Sequence, residues 1–228
     1  MNVQTKTKNK ANQNQPMSFR AHLAISAAPI VLRLAMGLAM LWLGFGMLAS
    51  TVTVPEAARP ALATMGIEPL EAESANGIVI QRVYSKALSI HDAANPPFDD
   101  ATGIRRAPLW PAWASAGDTP RFIAVSCMIG ALLIGVVTLL GLGTRFAAAL
   151  CCVLVLATLW LEHCVPAIHS GSTLAGFLPN HAPFDLADWA PVATWVLLFA
   201  VSLALLLSGP GRLSIDALLF RAPRAGGG

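Results

Sequence analysis

Residues 122–144, FIAVSCMIGALLIGVVTLLGLGT, and residues 146–161, FAAALCCVLVLATLWL, are separated by Arg145 alone and hold no charged side chain. The first stretch reaches the roughly 20 apolar residues that a helix needs to cross about 30 Å of hydrocarbon. The second attains that length when it is extended through Glu162 to Val165, which places an acid at its far end. The link Gly141-Leu142-Gly143-Thr144-Arg145 is too short for anything but an antiparallel hairpin. Two neighbouring spans, about 121–143 and 146–165, are therefore expected.

Outward from this pair, Leu34–Val54 and Trp189–Ser208 are also free of charge, which adds spans at about 30–54 and 189–208. The whole chain is 55% hydrophobic and 12% charged, against roughly a quarter charged in an ordinary soluble domain. The first apolar run is longer than the h-region of a cleaved signal peptide and follows a polar tail, so it reads as a retained span. The expected fold class is an all-α membrane protein, a four-transmembrane-helix bundle over residues 21–220. A disordered cytoplasmic tail is expected at 1–20, where Lys6, Lys8 and Lys10 stand among Asn and Gln, and a flexible tail at 221–228.

Charge placement orients the bundle. If the first span leaves the cytoplasm, Lys6, Lys8, Lys10, Arg20, Arg33, Arg145, Arg212, Arg221 and Arg224 lie inside, and Arg59, Arg82, Lys86, Arg105, Arg106 and Arg121 lie outside in long loops that weigh little. Of the acids only Asp216 is then inside. Both termini are expected in the cytoplasm of a bacterial-type plasma (inner) membrane. With the basic residues so explained, no nucleic-acid surface is indicated, and the lipid bilayer is the principal partner.

The first extracytoplasmic loop, residues 55–120, is far longer than an ordinary connection. Within it Ala72–Ile90 has the spacing of an amphipathic helix, with Ile80, Val83, Tyr84, Ala87 and Leu88 near one side. Asn95-Pro96-Pro97 and Pro108-Leu109-Trp110-Pro111-Ala112-Trp113 read as irregular chain, with the two Trp at headgroup level. Val165–Asp188 makes a second outer loop, and Gly209-Pro210-Gly211 ends the last span.

Three segments resemble the DoxX-like integral membrane protein family. Arg33-Leu34-Ala35-Met36-Gly37-Leu38-Ala39-Met40-Leu41-Trp42-Leu43-Gly44 is similar to that family's opening span, and Leu140–Ala148, with Gly141 and Arg145, to its turn between the second and third. The most specific is Ser208-Gly209-Pro210-Gly211-Arg212-Leu213-Ser214-Ile215-Asp216-Ala217-Leu218-Leu219. The resemblance implies a four-helix inner-membrane protein, with relatives implicated in thiosulfate oxidation that delivers electrons to quinone, or in redox-stress defence. The long first outer loop departs from the compact family pattern. Physical reasons for the matched residues lie in packing and anchoring. Gly37, Gly44 and Gly46 leave room for close helix approach, Arg33 is placed to snorkel to the headgroups, and Arg212 and Asp216 stand at pairing distance on one helix.

The candidate chemistry is at the outer end of the third span. Glu162 and His163 are the catalytic candidates, able to accept and pass protons if a quinol is formed or oxidised nearby. Cys127 and Cys164 fall toward the same end and are the candidate redox pair, whereas Cys151 and Cys152 read as packing residues. His163, His169, His181 and Asp185 are scattered without ligand spacing, so no metal site is assigned. Gly141-Leu142-Gly143 lacks the third Gly and preceding strand of a nucleotide fingerprint.

Two functions stay open. One is a component of a redox system, coupling oxidation of a small reduced (sulfur) compound to quinone. The other is a non-catalytic membrane subunit whose outer loop docks an extracytoplasmic protein partner.

Overall fold

The computed structural model describes residues 19–74, 77–96, 98, 106–182 and 185–209. Four helices in it are long and apolar enough to cross a membrane: Ala27–Ala49, Thr119–Leu140, Thr144–Ser170 and Leu186–Ser208. The chain is a multi-pass membrane protein. Residues 1–18 of the expected first tail, the tail 221–228 and the segment Pro210, Gly211, Arg212 and Asp216 lie outside the described residues, while Phe19 and Arg20 already belong to a helix.

The first spanning helix belongs to α1 (Phe19–Ala49). It is followed by β1 (Thr51–Val54), the short α2 (Arg59–Thr64), β2 (Glu71–Ser74), β3 (Gly77–Gln81) and α3 (Arg82–Ala94). The second span is α4 (Thr119–Leu140), and the third is α5 (Thr144–Leu159) continued by a wide π turn, Trp160–Cys164, and α6 (Val165–Ser170). A small hairpin of β4 (Thr173–Leu174) and β5 (Leu178–Pro179) precedes the fourth span, α7 (Leu186–Ser208).

The spans close into a ring in which α1 packs on α4, α4 on α5, α5 on α7 and α7 on α1. Its core contains Met36, Met40, Ile134, Cys151, Val155, Leu198 and Leu205. Outward-facing apolar side chains are left bare, among them Trp42 at 81% exposure and Val153 at 67%. Only lipid makes that arrangement stable, because in water such a belt would aggregate.

Small residues set the closest helix contact. A Cβ on Gly37 would stand 2.6 Å from Leu139 Cγ, and one on Gly135 would stand 3.0 Å from the Gly37 carbonyl oxygen. Gly44 is similarly closed by Leu132, but Gly46 faces open space, so it has no packing role. At the hairpin, Gly141 and Gly143 take φ of 71° and 50°, where a side chain is disfavoured. Arg145, next along, lies against Gly209 at the C-cap of α7, where a cation complements the exposed carbonyl end.

Three expectations are corrected. The first span ends at Ala49 and does not run to Val54, because Thr51-Val52-Thr53-Val54 is β-branched at every position and pairs with β3. The segment 72–90 is not one helix: its first half supplies β2 and β3 of an antiparallel sheet with order β1-β3-β2, and the helix starts at Arg82. Alternation explains this, since Ile78 and Ile80 are buried while Ile80 pairs with Val52. The long first loop is thus a folded cap whose apolar residues, including Leu62, Met65, Ile78, Ile80, Val83 and Ile90, share one core with Ala124 and Met128 of α4 and with Leu161 and Val165 of the third span, and the fold is mostly helical, consistent with the all-α membrane class, with a small sheet in the cap. Within it Trp110 is half-buried against the cap core, and Ala112–Ser115 forms a 3-10 turn. Arg33 does not snorkel, being buried in the bundle at 6% exposure.

Candidate functional site

Helix α3 rides on the bundle through Val83, Lys86, Ala87, Ile90, Ala93 and Ala94, a stripe at helical spacing. Lys86 is the charged member of that stripe and is 5% exposed. A buried ammonium needs an acid and further acceptors, or it costs several kcal/mol. The third span supplies both. Lys86 Nζ lies 2.7 Å from Glu162 Oε1 and donates to Thr158 Oγ1 at 3.1 Å. It also stands 5.8 Å from the centre of the Trp195 ring, within cation–π range.

The position of Glu162 follows from Pro166. In an uninterrupted α-helix, Pro166 would meet the carbonyl of Glu162 with a ring and no N–H to bond it. The π turn at Trp160–Cys164 widens the helix just before, and Pro166 falls in the first turn of α6, where an N–H is not needed. The span therefore continues to Ser170 instead of stopping at Val165. The same turn is where Glu162 and His163 leave the regular helical register.

Two spaces that share lining residues lie beside the pair. A cavity of about 210 Å³ is lined by Trp42, Leu43, Gly46, Met47, Arg82, Glu162 and Trp195. An apolar groove of about 770 Å³ runs along α1 and α7, past Ala35, Leu38, Ala39, Leu197, Leu198 and Val201, and shares Trp42, Leu43 and Trp195 with the cavity. The groove is greasy along its length, and the charged residues Arg82 and Glu162 line the cavity with which it shares a wall. Among the described residues on its wall, Thr194 is the one hydroxyl-bearing side chain.

On its other side Glu162 borders a third space, a vestibule of about 350 Å³ lined also by His163, Ser170, Ser172, Asn180 and His181. Both sequence candidates are thus in one place. His163 has a buried Nε2 with no hydrogen-bond partner among the described residues. His181 is oriented by Asp188, at 3.8 Å from Nδ1 to Oδ2, and by an edge contact with Trp189.

The other candidates do not converge. All four cysteines are free thiols, so Cys127 and Cys164 are not joined, while Cys151 accepts from Ser202 Oγ at 3.1 Å across the α5–α7 contact. His169 Nε2 lies 3.2 Å from the Ala107 carbonyl oxygen, and Asp185 caps α7 by accepting from Ala187 N at 3.0 Å. Among the described residues no group of three potential metal ligands comes together. Gly37, Gly141, Arg145 and Gly209 have the packing and turn roles given above, away from Glu162.

Lys86, Arg82, Thr158, Trp42 and Trp195 were not among the residues picked from the sequence. The signal for Lys86 is legible afterwards: it sits between Val83 and Ala87 on the apolar face of α3, and Glu162 is the acid in the third span. Comparison with protein-family models, with curated proteins and with solved structures gave no match.

Proposed function

We propose that this chain binds an isoprenoid quinone, with its tail in the groove between α1 and α7 and its ring in the cavity at Arg82 and Glu162. One observation carries the reading: a long apolar groove shares Trp42, Leu43 and Trp195 with a cavity that Arg82 and Glu162 line. Binding sites for small molecules pair an apolar wall with a few convergent polar groups in this way. Arg82 has no side-chain partner among the described residues and can donate to a ring carbonyl oxygen. Glu162 can accept from a ring hydroxyl, with Lys86 holding the carboxylate in place.

The same reading places the protein in a redox system that couples oxidation of a small reduced compound, a sulfur compound by the resemblance to DoxX-like proteins, to that quinone. Glu162 and His163 would then handle the protons that accompany reduction of the ring. In this reading the membrane is a bacterial-type plasma membrane, both termini are cytoplasmic, and the folded cap faces outward. The basic residues of the tails and of the Gly141–Arg145 turn support that orientation.

Extraction of lipid from the purified full chain, followed by chromatographic identification of quinone, tests the reading. Stoichiometric quinone is expected, and phospholipid alone would overturn it. Quinone reduction by the purified chain with a reduced sulfur donor is the expected activity. Turnover that appears only with a co-purifying protein would make the chain a membrane subunit, with its cap as the docking surface.

A further inference from the structure

Glu162 stands at the wall between two spaces, with the charged cavity on one side and the polar vestibule on the other. His163 and His181 line the vestibule, and His163 lies within electrostatic reach of Glu162, His181 and Lys86. His181 in turn faces Asp188. Acid, imidazole, imidazole and acid thus follow one another from the half-buried ion pair toward the capped end of the bundle.

We propose that Glu162, His163 and His181 form a proton path between the cavity and water at the capped end. This goes beyond the quinone reading and does not require it, since any hydroxyl ionising in the cavity would feed the same path. The transfer balances without electrons and is reversible, so a quinone being reduced draws a proton inward along the steps by which an ionising hydroxyl sends one out. A proton released in the cavity joins the Glu162 carboxylate, and the carboxyl passes it to His163, which becomes imidazolium. His163 returns to its neutral form by handing the proton to His181, which gives it to water beside Asp188. One proton enters, one leaves, and each group regains its starting charge.

The surrounding charges favour this route. Glu162 is faced by Lys86 and Arg82 from the cap helix, by His163 on its own turn and by His181 from the segment after β5. Lys86 and Arg82 oppose a free hydronium ion in the cavity, so the proton travels on a group that it neutralises. Gaps longer than a hydrogen bond are spanned by water, for which the vestibule of about 350 Å³ has ample room.

The test is a rapid pH step on the full chain in lipid nanodiscs, followed by the infrared carboxyl band that Glu162→Gln removes. The path predicts that His163→Gln/His181→Gln slows the appearance of the band at least roughly tenfold. It predicts little change in the band's final amplitude, and recovery of the rate on addition of free imidazole. His181→Gln alone, a change at a partly exposed side chain, is expected to slow the band in the same sense. An unchanged rate in either folded variant, or slowing that imidazole does not reverse, would overturn the path. Quinone content, measured separately, reports on the occupant of the cavity and leaves this result unaffected.

Discussion

Lys86 Nζ meets Glu162 Oε1 at 2.7 Å, joining the helix of the first loop to the π turn of the third span. The two residues are far apart in sequence, and neither is apolar, yet they meet beside the apolar core that joins the cap to the bundle. The two partners are not equivalent, because Lys86 is 5% exposed and the Glu162 side chain is 35% exposed.

That asymmetry predicts different costs for breaking the pair. Glu162→Gln strands a buried ammonium with Thr158 and is expected to cost about 3 kcal/mol. Lys86→Met leaves a carboxylate that reaches the cavity, and is expected to cost about half as much. The double variant should be more stable than Glu162→Gln alone, with a coupling of about 1–3 kcal/mol, read from denaturant unfolding in bicelles.

The contact between α1 and α4 predicts a contrast between glycines. Gly37→Ala puts a Cβ 2.6 Å from Leu139 Cγ and 3.1 Å from the Gly135 carbonyl oxygen, so it is expected to destabilise by about 1–3 kcal/mol. Gly46→Ala meets nothing within 4 Å and should leave thermal stability unchanged or slightly raised.

How far the sequence carried the fold can be judged from these same residues. The bundle was legible because apolar length is a strong signal: the turn at Gly141–Gly143, the acid at the end of the third span and the packing glycines Gly37 and Gly44 were readable. The cap was not, since Ile78, Ile80, Val83 and Ala87 satisfy a strand and a helix in succession, and one helical period fits both. Thr51–Val54 was absorbed into the first span because hydropathy does not tell a β-branched strand from a helix end. Of the site, Glu162 and His163 were legible as ionisable groups near a membrane boundary, whereas Lys86 and Arg82 depend on where α3 docks.

In the cap, burial raises the carboxyl pKa of Asp92 above its ordinary 3.8, and the neighbouring His91 opposes the rise. A carboxyl whose folded pKa is raised holds its proton more tightly in the native state. Its ionisation therefore lowers stability as pH climbs from about 3.8 through the higher folded value, beyond which the loss is complete. Asp92→Asn, which retains an acceptor for His91 Nδ1, should flatten that fall in Tm measured across the acidic range. A fall just as steep in the variant would assign it to another group.

Fluorescence titration of the purified full chain with a short-tailed quinone tests the central claim most directly, since Trp42 and Trp195 both line the groove and the cavity. Gly46 lines the cavity and has open space in front of it, so Gly46→Leu fills the site without disturbing a helix contact. Saturable quenching in the native chain, lost in a folded Gly46→Leu chain, is the predicted result. Quenching that never saturates, or that is identical in the two chains, would contradict the account.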